Sequence, residues 1–178
     1  MSFLKPVQPS LLFLGFLYNP ERVNPENIVS LLRKKFGTIK FISNPINFVW
    51  SDYYEKEMGS DLKRIFIVFE NTFERKKIIK VKKYTDKLEQ KYAFDSRRTI
   101  NIDPGLICLE NFILVTNKPF FHRIYLKDGV YGEVTLFYKK GTFNPIEYWS
   151  YPEYRSQIVI EFLNIARAYL SDVICKLA

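Results

Sequence analysis

The chain of 178 residues is 47% hydrophobic and 26% charged, the balance of a globular protein that buries roughly two thirds of its unfolded surface within one domain. An aromatic share of 17%, from 16 Phe, 12 Tyr and 2 Trp, excludes a disordered or coiled-coil protein and favours strands, on which flat rings pack. The 27 Lys and Arg against 19 Asp and Glu leave a net charge of +8, which suits anionic ligands or nucleic acid and does not bear on the fold.

The first predicted element is the apolar run Leu11 to Tyr18. It is too short to span a bilayer, and Asn19-Pro20-Glu21-Arg22 follows where a signal peptide carries small cleavage-site residues. A buried central strand is expected instead, in a cytoplasmic protein with no membrane segment. Cys108 and Cys175 show no Cys-x-x-Cys or Cys/His ligand spacing, so two buried, reduced thiols and no metal are expected. Asn24-Pro25 reads as a helix cap and first helical position; Ile28, Leu31, Leu32 and Phe36 keep helical spacing up to Gly37. Thr38 to Ile42 reads as a strand, and Ser51 to Gly59 as an irregular, aromatic and polar segment. Arg64 to Glu70 is a strand with a near-continuous apolar run. A helix is predicted over Glu74 to Tyr92, with Ile78, Val81, Leu88 and Tyr92 inward and a basic opposite face from Arg75 to Lys91.

The second half is rich in strand signals. Thr99 to Ile102 alternates, Asp103-Pro104-Gly105 reads as a turn, and Leu106 to Thr116, Phe121 to Leu126 and Val130 to Tyr138 as strands. Tyr148 to Tyr154 is an aromatic connection, and a last helix runs from about Ser156 to Leu177, burying Phe162, Ile165, Tyr169 and Val173. The order predicts an α+β fold in a single domain over residues 1–178. A mostly antiparallel sheet, covered on one side by three main helices, has a ferredoxin-like beginning (β-α-β-β-α) and a β-rich second half.

Phe48 to Gly59, Asn101 to Gly105, His122 to Leu126 with Glu133 to Thr135, and Tyr148 to Arg155 together resemble a family of uncharacterised prokaryotic proteins, a domain of unknown function. Members are sometimes labelled GTP-binding proteins. The resemblance covers nearly the whole chain and implies no catalytic residue. The machinery such a label suggests is not in the sequence: no Gly-x-x-x-x-Gly-Lys-Ser/Thr loop is present to wrap phosphates. Thr116-Asn117-Lys118-Pro119 is similar to a guanine-reading Asn-Lys-x-Asp, but Phe120 stands in place of the Asp.

Asp128-Gly129 marks a hairpin. A two-residue loop pairs Lys127 with Val130; a three-residue loop pairs Leu126 with Val130. The second gathers Ile124, Leu126, Val130, Val134 and Leu136 on one apolar face and sets Arg123 opposite Glu133, so it is the predicted register. Arg123 and Glu133 then read either as an ion pair on a solvated face or as part of a site. In the site reading Arg123 joins Asn101 and Asp103 beneath Tyr125 and Tyr131, the Arg fork meeting a phosphate or carboxylate and the tyrosines flanking a ring. Arg155 would supply a second positive charge, also acting as counter-charge to Asp52-Tyr53-Tyr54-Glu55, a loop that could hold a cation or a polar ligand or anchor itself through its tyrosines.

The expected function is therefore binding, with turnover left open, of an anionic small molecule such as a nucleotide, with no cofactor implied. One alternative is a nucleic-acid-binding protein using the basic helix over residues 74–92, whose lysines also read as an ordinary solvated face. The other is a carboxylate-dependent hydrolase using Asp52, Asp103, Glu133 and His122, the only histidine, which otherwise reads as a hydrogen-bonded core or rim residue.

Overall fold

The computed structural model describes residues 3, 5–147 and 149–177, so Tyr148, which opens one of the predicted aromatic stretches, lies outside the described residues. The first half comprises β1 (Ser10–Tyr18), α1 (Pro25–Phe36), β2 (Ile39–Ile42), β3 (Ile46–Asn47), the short α2 (Glu55–Met58), β4 (Lys63–Phe73) and α3 (Ile78–Lys91). The second comprises β5 (Ile100–Ile107), β6 (Asn111–Thr116), β7 (Ile124–Lys127), β8 (Val130–Lys139), β9 (Thr142–Pro145) and α4 (Gln157–Leu177).

These strands form one nine-stranded sheet in the order β2-β4-β1-β5-β6-β8-β7, with β3 on β4 and β9 on β8. Every pairing is antiparallel. The first four positions, β2-β4-β1-β5, with α1 and α3 on one face, are a split β-α-β arrangement of ferredoxin-like type, which β5 completes. The remaining strands extend the sheet beyond β5.

β1 is buried at every position, and a strand can be so only if both faces of its sheet are covered. Alternation sends Leu12, Leu14, Phe16 and Tyr18 towards Ile28 and Leu32 of α1 and Ile78, Val81 and Leu88 of α3. Leu11 and Phe13 point the other way, into a cluster with Phe66, Phe112 and Val159, Leu163, Ala166 and Leu170 of α4. The expectation of three helices on one side is corrected accordingly: α4 covers the opposite face. Its inward stripe also differs from the expected one, for Ile165 is 58% exposed, and positions 159, 163, 166 and 170 carry the contact instead.

Local chemistry accounts for the helix ends. Asn24 Oδ1 accepts from the Glu26 amide at 2.9 Å, and Gly37, at φ 100°, turns its N–H to the Arg33 carbonyl. The predicted long helix begins as a 3-10 turn over Arg75–Lys77 before α3 proper.

Three strand expectations change. Asp103-Pro104-Gly105 is no turn; β5 runs straight through it, and the chain reverses instead between Ile107 and Asn111. Lys140 and Gly141, both at positive φ, lead into the unforeseen β9. The β7–β8 loop has two residues, Asp128 (φ 54°) and Gly129 (φ 78°), closing Lys127 on Val130, as suits a turn needing both central residues at positive φ. An irregularity at Leu126 then restores the longer-loop register, with Tyr125 opposite Tyr131 and Ile124 opposite Gly132. A second, at Thr135, brings Leu136 to the α4 face while Val130 stays on the α1–α3 face. The single apolar face expected of this hairpin is thus broken up by bulges, which switch the side on which following residues point, and Ile124 and Leu126 are 71% and 42% exposed. Among the described residues no helix is long and apolar enough to cross a membrane.

Candidate functional site

The sheet is split between β5 and β6. Their pairing covers only Gly105 to Ile107 against Phe112 to Leu114. In an antiparallel ladder alternate residues turn their N–H to the same neighbour. On β5, Cys108 donates towards β6, to the Asn111 carbonyl, and position 104 shares that side. Pro104 has no N–H to give there, and pairing stops. The next amide on this side, Ile102, donates to Glu89 Oε1 of α3 at 2.7 Å. A cleft of about 400 Å³ opens at the split; its lining includes Asn101 and Asp103 of β5, Leu114 to Lys118, Lys82, Asp86 and Glu89 of α3, Phe48, Trp50, Ser51, Tyr53 and Tyr54, and the segment 151–154.

Its floor is an ionic network. Arg64 of β4, only 2% exposed, lies 3.0 Å from Asp103 Oδ2 and 2.6 Å from Glu153 Oε1, donates from Nη2 to Glu153 Oε2 at 3.1 Å, and donates from Nη1 to the Gly15 carbonyl at 3.2 Å. The Nε–Oε1 contact is too bent for a hydrogen bond, and both atoms lack one. Burial opposes the Arg64 charge, but Glu153 and Asp103 outweigh it and keep the guanidinium protonated. Burial in turn raises the Glu153 carboxyl in spite of Arg64. The Tyr154 hydroxyl, beside Gly15, is buried without a hydrogen-bond partner among the described residues.

A second arginine fixes the other end. Arg98 grips Glu57 through Nε (2.9 Å) and Nη2 (2.7 Å) and donates from Nη1 to Asn101 Oδ1 at 2.9 Å. Asn101 Nδ2 donates to Asp103 Oδ2 at 2.9 Å, so a continuous chain links Glu57, Arg98, Asn101, Asp103, Arg64 and Glu153. Glu89 stands beside it, 3.5 Å from Arg98 Nη1, its carboxyl pushed up to about 7 by burial despite the Lys82 charge and the Ile102 amide. The donors of both guanidinium groups are largely spent on protein acceptors, so the floor offers a ligand carboxylate oxygens, chiefly those of the part-exposed Asp103. Trp50, Tyr53, Tyr54 and Tyr151 add aromatic walls. Lys118, at the rim, donates to Tyr53 Oη at 2.7 Å.

Of the residues singled out in the sequence, Asn101, Asp103 and Glu133 line this cleft. Arg123 lies behind Glu133, donating to its Oε2 at 2.7 Å, to the Lys118 carbonyl at 3.0 Å and to Tyr151 Oη at 2.5 Å. The Arg123–Glu133 pair is not on a solvated face: its side chains are 9% and 1% exposed. His122 Nε2 also meets Glu133 Oε2, at 3.0 Å, and the ring stacks on Trp149, so its carboxylate neighbour is Glu133. Tyr125 and Tyr131 pack on each other outside the lining. Arg155 donates to the carbonyls of Ser150 and Glu147, tying its own loop and meeting no acid among the described residues. Asp52 is exposed in the turn leading to α2. Among the described residues no group of three or more His, Cys, Asp or Glu is arranged to hold a metal ion.

Arg64, Arg98, Glu57, Glu89 and Glu153 escaped the sequence reading. Two oddities could have pointed to the first: a glycine inside the apolar run of β1, and an arginine sharing the inward parity of Phe66 and Val68 on β4. Thr116-Asn117-Lys118 does reach the rim of the cleft.

Residues 8–169 match the family model described as Domain of unknown function (DUF4416). No curated protein and no solved structure matches the chain.

Proposed function

The chain belongs to this family of unknown function, and we propose that its cleft binds an anionic small molecule bearing a flat ring, such as a nucleotide. The observation that carries the reading is the division of the cleft: fixed acceptors at the floor, aromatic walls, and a lysine at the rim. A ring entering between Trp50, Tyr53 and Tyr54 would present its N–H groups to Asp103, held in place by Arg64 and Asn101. Lys118 would meet the negative group outside. Carboxylates accept ring N–H and amino groups, and ammonium groups take phosphate as point charges. A cytoplasmic setting suits the reading, since Cys108 and Cys175 are both free thiols, Cys108 buried as expected and Cys175 exposed against expectation.

A panel of nucleoside mono-, di- and triphosphates tests it by thermal unfolding. A ligand at about one hundred times its Kd adds about 2.7 kcal/mol, a rise of roughly 5–10 °C for a chain of this size. The rise should shrink in Asp103→Asn and in Lys118→Ala; the latter changes an exposed side chain and leaves the buried network intact. A melting point unmoved by every member of the panel, or moved equally in wild type and Lys118→Ala, rejects the reading. A carboxylate-dependent hydrolase is the second reading. Glu89 favours it, because a carboxyl raised to about 7 in a cleft can donate a proton at neutral pH, with the carboxyl group of Asp103 in the same lining. That version requires ligand turnover lost in Glu89→Gln with binding kept.

A further inference from the structure

On the α1–α3 side of the sheet, away from the cleft floor, two helices bring their basic residues together. The last turn of α1 carries Arg33, Lys34 and Lys35, all exposed. On α3, Lys80, Lys87 and Lys91 are exposed at steps of seven and four residues, along one stripe roughly 16 Å long. The two groups meet at Tyr84: Lys35 Nζ lies 5.0 Å from the centre of its ring, and Phe36 packs edge-on to it at 5.4 Å. Lys80 and Lys87 flank Tyr84 one turn before and one turn after.

None of these six cations has an ion-pair partner among the described residues. The neighbouring acids are already engaged: Glu74 by Lys76 and Lys77, Asp86 by Lys82, and Asp128 by Lys83. The dipole of α1 accounts for cations at its own C-terminus. It does not account for Lys80 in the first turn of α3 and Lys87 further along it, repeated at turn spacing beside an aromatic ring.

We infer that this face binds the sugar–phosphate backbone of a nucleic acid. A row of unpaired cations spaced by helical turns neutralises several phosphates along a strand and releases their counterions, and a ring among them offers a surface on which an unpaired base stacks. The elements contributed are helix surfaces with no groove-entering motif, so the contact is to backbone and independent of base sequence. The inference does not rest on the cleft.

Fluorescence anisotropy of labelled duplex DNA and single-stranded RNA, each about 20 nucleotides long and of arbitrary sequence, tests it with the full chain. With about four phosphates neutralised, affinity should fall roughly 10²-fold between 50 and 200 mM salt. In Lys80→Glu/Lys87→Glu it should fall at least tenfold at low salt, with the thermal unfolding midpoint unchanged. Tyr84→Ala should weaken single-stranded RNA more than duplex. Failure to bind either probe at low salt, affinity that ignores salt, or equal binding by wild type and the charge-reversed variant overturns the inference. So does binding to phosphatidylserine vesicles with neither nucleic acid retained, which would make the face a membrane contact.

Discussion

Gly15 is the residue on which the buried charges depend. β4 and β5 flank β1, and Arg64 on the first reaches Asp103 on the second by passing over Gly15, whose carbonyl it also engages. A Cβ at this position would sit 2.9 Å from Tyr154 Oη and 3.5 Å from Arg64 Nη1. Gly15→Ala is therefore expected to destabilise the protein by about 1–3 kcal/mol, the usual cost of overpacking. Tyr154→Phe removes the nearest atom of the clash. Because that hydroxyl is buried with no partner among the described residues, its loss alone should be close to neutral, and within the double variant it should recover part of the alanine cost. Urea unfolding of the four proteins measures the coupling; strict additivity would show that the two groups do not collide. The glycine was visible in the sequence as a break in an apolar run. The charges it admits were not, because positions 64 and 103 meet only through two separate strand pairings.

Among the elements, the decisive event is the parting of β5 from β6. Pro104 ends the ladder, Glu89 of α3 takes the Ile102 amide, and the cleft occupies the opening. The Glu89 carboxyl is raised from an ordinary 4.5 to about 7, chiefly by burial, with Lys82, Arg98 and Asp103 as its charged neighbours. A carboxyl raised in the folded state favours folding while it is protonated: the contribution is complete below about pH 4.5 and is lost as pH rises to about 7. The loss should be on the order of 3 kcal/mol. Denaturant unfolding at pH 5 and pH 8 should show wild type losing that much relative to Glu89→Gln; parallel pH profiles would place the titration elsewhere. The proline was read in the sequence as a turn. It proved to be a strand residue because its missing donor faces a side where no partner strand lies, a condition no local pattern records.

At the scale of the molecule, one sheet carries helices on both faces and two separate polar surfaces. The cleft opens where β5 and β6 part, and the basic surface lies on the outer sides of α1 and α3. Their independence is itself testable. Lys80→Glu/Lys87→Glu should leave the nucleotide-induced thermal shift unchanged, and Lys118→Ala should leave nucleic-acid retention unchanged. Loss of both activities in either variant would mean that the two surfaces form one site. The chain by itself determined β1, the capped α1, the place of the β7–β8 hairpin though not its loop length, and the α+β class. Each depends on alternation, caps or turn residues a few positions apart, and those act before any long-range contact forms. Tertiary structure alone decided which charges meet. Arg64 finds Asp103 at 39 residues' separation and Glu153 at 89, through strand order, register and bulges, and a single bulge is enough to move a side chain to the opposite face.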